Sequence, residues 1–104
     1  DLYIGIYPTV KSEKSVSFYS AKGFESPGGT YFTELFGKHY LALTGNNIEI
    51  IGRSERVLRE TRMPAVVVRF GPTDELISNS QQLFETLETS VSAWFSEPFQ
   101  EILA

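Results

Sequence analysis

The 104-residue chain contains no cysteine. That excludes disulfides, thiolate nucleophiles and cysteine-ligated zinc, and it fits a reducing compartment, so the expected location is the cytoplasm. Histidine and tryptophan occur once each, as His39 and Trp94. A lone histidine needs a carboxylate or hydroxyl partner to do acid–base or nucleophilic work, and no triad or metal-ligand spacing surrounds His39. No apolar run reaches the length of a membrane span, and no signal-peptide pattern is present. Lysine and arginine are absent after Arg69, where only Asp74, Glu75, Glu85, Glu88, Glu97 and Glu101 carry charge. The net charge of −4 argues against nucleic acid as the main partner. Phosphate-cradling glycine loops, zinc patterns and the strained serine elbow are also missing.

What is present is an ordinary globular composition, 41% hydrophobic and 13% aromatic, in a chain of single-domain length. Leu2 to Tyr7 alternate around β-formers and predict a strand ended by Pro8. Ser12 to Lys22 are read as a helix with Val16, Phe18, Tyr19 and Ala21 on its apolar side, stopped by Gly23. Tyr31–Phe36, His39–Thr44 and Ile48–Ile51 follow as short strands, with Gly45-Asn46-Asn47 as a turn. Residues 53–62, with four arginines, are read as a linker. Pro64 to Phe70 predict a β-branched strand, and Thr73 to Leu87 an amphipathic helix with acid in its first turn. Val91–Phe95 and Phe99–Leu103 are read as two closing strands.

These elements suggest a duplication. At an offset of 64 residues, Pro8-Thr9 falls on Pro72-Thr73 and Tyr19 on Leu83. The reading is one domain over 1–104, with a first β-α-β-β-β unit over 1–52, a linker over 53–62, and a second unit over 63–104 that is one strand short. The string Ser15-Val-Ser-Phe-Tyr19, followed by Lys22-Gly-Phe-Glu25, resembles the corresponding stretch of the vicinal oxygen chelate superfamily, which holds glyoxalase I, extradiol dioxygenases and the bleomycin-resistance proteins. The usual Asp-Pro-x-Gly-Asn turn before the last strand of that superfamily is absent. The resemblance implies an α+β fold of two β-α-β-β-β units with curved sheets around a site.

The resemblance also directs attention to the metal positions. Alignment puts Ile4 and Pro64 or Ala65 where first-strand ligands stand, and none of these binds a metal. Glu49 falls at the first glutamate position, and Glu101 is its candidate mate. Two carboxylates without histidine make a poor catalytic transition-metal site. The resemblance therefore implies the metal-free, drug-sequestering branch, associated with antibiotic resistance. The expected function is non-covalent binding of a partly aromatic small molecule in a groove between units or subunits, with no cofactor. The candidate ligand-binding residues are Phe36 and Trp94 for aromatic contact, and Glu49 and Arg69 for orienting polar groups. A homodimer is the implied state. The alternatives are a metal-dependent lyase or dioxygenase of the same superfamily, and an interaction module without ligand.

Overall fold

The computed structural model describes residues 2–60 and 63–96. The elements run β1 (Tyr3–Pro8), β2 (Glu13–Ala21), β3 (Phe24–Glu25), α1 (Pro27–Thr44), β4 (Glu49–Arg53), α2 (Arg56–Glu60), β5 (Ala65–Gly71), α3 (Thr73–Ser78) and α4 (Ser80–Ser96). The class is α+β, as expected, with a mixed sheet of five strands. β5 lies between β1, its parallel neighbour, and β2, its antiparallel neighbour. β2 also pairs with β4 in parallel and turns back on β3 as a hairpin.

This order differs from two successive β-α-β-β-β units, and the differences have local causes. Ser12 to Lys22 form a strand, not a helix. Ser15, Val16, Ser17 and Phe18 alternate small polar with large apolar, a period of two that fits a central strand covered on both faces. All four are buried. The stretch read as two strands, Tyr31–Phe36 and His39–Thr44, is one helix, α1. Phe32, Leu35, Phe36 and Tyr40 recur at the three- and four-residue spacing of a helical face and are buried together. Ser26 starts the helix by accepting a hydrogen bond from Gly29 N at 3.1 Å, and Pro27 opens its first turn. Gly45, at φ 77°, ends it in the left-handed conformation that glycine adopts without penalty.

The glycines that suggested turns are packing positions. A Cβ on Gly28 would stand 2.7 Å from Pro64 Cγ, and one on Gly37 would stand 3.1 Å from Ile50 Cδ1. Val91–Phe95 belong to α4, not to a strand. Part of the supposed linker is helical, as α2. The Phe99–Leu103 strand and Glu101 lie outside the described residues. The expected repeat is not reproduced in the elements that follow its two strands. β1 leads into a strand, whereas β5 leads into α3. The two strands are nevertheless neighbours, with Tyr7 opposite Arg69.

The sheet has two unlike faces. On one, Val16, Val66, Val68 and Phe70 pack against Phe32, Phe36 and Tyr40 of α1 and Leu83 of α4. On the other, Ala65 and Val67 pack under Leu58 of α2, flanked by Tyr3, Tyr19 and Val57. A five-residue helix covers far less sheet than two helices of 18 and 17 residues. The second face is therefore the thinly covered one, and polar side chains gather there.

Candidate functional site

Strand alternation assigns the polar residues to this face. Val67 lies under α2, so Arg69 two residues on points the same way. Its register partners follow, Tyr7 on β1 and Ser15 on β2. Ser17 shares the face and donates from Oγ to the Val67 carbonyl at 3.2 Å, which satisfies its buried hydroxyl. Glu13 is placed there by the same alternation, and Ser15 donates to its Oε2 at 3.0 Å.

Two ion pairs meet over these residues. Arg69 Nη2 donates to Glu55 Oε2 at 2.6 Å, and the Tyr7 ring lies against the guanidinium, 5.4 Å from centroid to Cζ. Arg53 Nη2 lies 3.7 Å from Glu13 Oε2. Arg53 ends β4 and is the register partner of Tyr19 on β2. The loop after β4 brings Glu55 back over β5. Three atoms of the cluster are buried without a hydrogen-bond partner: Arg53 Nε, Arg69 Nη1 and Glu55 Oε1. Buried donors and acceptors on charged groups are costly to leave unmet, so these three atoms mark unused polar capacity on charged groups; His39 Nε2, Ser90 Oγ and Trp94 Nε1 are the other such atoms among the described residues.

The predicted site residues do not converge. Arg69 is in the cluster. Glu49 is exposed at the start of β4, opposite Ser15, and shares the α2 face by alternation. Phe36 is fully buried on the opposite face, stacked on Tyr40 at 6.2 Å between centroids, and is a core residue. Trp94 packs from α4 against the same core and meets Phe95 edge to face at 5.0 Å. Its Nε1 is buried without a partner. His39, expected at a strand end, is on α1 and lines a shallow groove against α4 with Glu85, Thr86 and Thr89. Sequence reasoning missed Glu13, Ser15 and Glu55 as site residues. The period-two pattern of Glu13, Ser15 and Ser17 was the available signal, hidden by the helical reading of that segment.

Among the described residues no group of three or more His, Cys, Asp or Glu side chains is placed to hold a metal ion, and no helix is long and apolar enough to cross a membrane.

The same arrangement of sheet and helices occurs in the crystal structure of N-acetylmuramoyl-L-alanine amidase from Clostridium difficile 630, with a TM-score of 0.73 over 94% of this chain. The two chains share a fold. Their sequence identity is 15%, and the match spans 59% of the amidase. At that identity the likeness concerns the fold and not the activity grafted on it. No protein-family model and no curated protein matches the chain.

Proposed function

We propose that the protein binds a small polar molecule non-covalently at the cluster of Tyr7, Glu13, Ser15, Arg53, Glu55 and Arg69. The observation that carries this reading is the set of three buried, unpartnered polar atoms on Arg53, Glu55 and Arg69, gathered on the thinly covered face of the sheet. Tyr7, 37% exposed, supplies an aromatic edge at the rim, in keeping with sites that combine apolar walls with a few placed polar groups. Binding without covalent chemistry is the part of the vicinal oxygen chelate resemblance that this cluster supports. The paired-unit architecture and any resistance role rest on the Ser15–Tyr19 and Lys22–Glu25 strings alone. Homodimerisation rests on the same resemblance.

A fragment screen by backbone amide NMR tests the reading. Ligands are expected to shift the amides of Tyr7, Ser15, Arg53, Glu55 and Arg69 and to leave those of Phe36 and Tyr40 in place. Hits confined to the α1–α4 groove, or no hits from a chemically broad library, refute it.

A further inference from the structure

The chemistry of the unpartnered atoms narrows the ligand. Two are guanidinium N–H donors, Arg53 Nε and Arg69 Nη1, and one is a carboxylate acceptor, Glu55 Oε1. The cluster holds two arginines and two glutamates and is neutral as a whole. An anion alone satisfies the arginines but brings negative charge beside Glu55. A cation alone satisfies Glu55 and meets two guanidinium groups. A small zwitterion, with its opposite charges on groups attached to one carbon, answers all three groups and keeps the cluster neutral.

We infer that the site recognises a free α-amino acid, its carboxylate accepting from Arg53 Nε and Arg69 Nη1 and its ammonium donating to Glu55 Oε1. The inference rests on the binding reading above and adds the ligand class. Charge-assisted hydrogen bonds of this kind are the strong ones, and arginine suits carboxylates through its planar fork. Glu55 is already held by Arg69 Nη2 at 2.6 Å through its other oxygen, so Oε1 is left with a fixed direction. Ser15 and the Tyr7 ring hold Glu13 and Arg69 in the same way. The side chains of Arg53 and Glu55 are 36% and 32% exposed. Entry of the ligand requires that they and Tyr7 turn aside at the rim over a fixed sheet.

The test compares free amino acids with derivatives that remove one charge at a time. Wild-type protein is titrated with glycine, L-alanine, L-glutamate and L-phenylalanine, then with the N-acetyl and methyl ester forms of whichever binds, by calorimetry and amide NMR. At least one free amino acid is expected to bind and shift the cluster amides. Acetylation and esterification are each expected to weaken it tenfold or more, as are Arg69→Gln and Glu55→Gln. The ligand derivatives leave the protein unchanged, so a variant that fails to fold does not rescue the idea. Equal affinity for the free and acetylated forms overturns the inference. So does binding of other fragments at the cluster with none of the four amino acids, and that outcome leaves the binding reading standing. An absence of any ligand at the cluster overturns both.

Discussion

Replacing Phe36 with alanine separates the core assignment of this residue from the ligand-contact role that its aromatic character suggests. Phe36 is fully buried, stacked on Tyr40 with their planes 10° apart, and 6.3 Å from the Phe32 ring between centroids. Val16, Val66, Val68 and Phe70 of the sheet belong to the same cluster. Truncation removes most of a phenyl ring's buried area and leaves a cavity walled by strands and a helix that cannot collapse freely. Such changes cost about 3–5 kcal/mol, a large share of the roughly 5–15 kcal/mol that stabilises a domain. At about 4–8 °C per kcal/mol for a chain near this size, Tm falls by roughly 12–40 °C. Urea unfolding followed by circular dichroism gives the free energy directly, and Phe36→Leu, expected to lose about 1–2 kcal/mol, provides a variant that stays folded. In Phe36→Leu the ligand-induced shifts at Tyr7 and Arg69 should match wild type. A loss below about 1 kcal/mol for the alanine variant refutes the core assignment. So does a leucine variant of near-native stability that no longer binds ligand.

Ser26→Ala removes the acceptor for Gly29 N at the start of α1; it should cost about 1 kcal/mol by urea unfolding, with Ser26→Asp recovering most of it. Burial raises the Tyr40 phenol above its ordinary 10.0, with Glu75 pushing the same way and Lys14 and a hydrogen bond with Thr44 opposing. Above pH 10 the unfolded chain sheds this proton first while the folded chain keeps it. The folded state then binds more protons, and stability falls as pH rises through the folded value. Tyr40→Phe should flatten that decline in unfolding curves taken from pH 9 upward.

The strands rich in β-branched residues, β1, β4 and β5, were legible because their composition allows little else. Pro8, Gly45 and the acidic start of the α3–α4 stretch also marked boundaries correctly. What failed was the choice of period between Ser12 and Thr44. Val16, Phe18 and Tyr19 satisfy a helical stripe if the intervening serines are treated as solvent-facing. They satisfy a strand if the serines are buried, as Ser15 and Ser17 are. The sequence of β2 carries no sign of the α2 segment that covers those serines from more than 30 residues away. In α1 the glycines at 28, 29 and 37 obscured a helical pattern, because close approach to Pro64 and Ile50 is a tertiary property. Arg69 stood out as a lone charge in an apolar strand. Its partner Glu55 could not be named, because the loop that returns it over β5 follows from the parallel pairing of β4 with β2.

The unequal cover on the two faces of the sheet explains why the polar cluster is where it is. Under α1 and α4 the sheet contributes Val16, Val66, Val68 and Phe70, and Lys14, beside the Phe70 ring, is neutralised by Glu75. Under α2 the cover is thin, so that beyond Val67 the strands can present Arg69 and Glu13 at partial exposure while Ser15 stays buried. Partial exposure lets opposite charges pair without the full desolvation penalty of the interior, while the sheet beneath fixes their backbones. The hydroxyls under α2 show the distinction. Ser17, next to the covered core, spends its donor on the Val67 carbonyl, whereas Ser15, one step towards the open end, spends its donor on Glu13. Both buried hydroxyls are thus consumed structurally, and the unmet polar atoms on this face belong to Arg53, Glu55 and Arg69. Those atoms, rather than the aromatic content of the chain, carry the proposal of a binding site on this face.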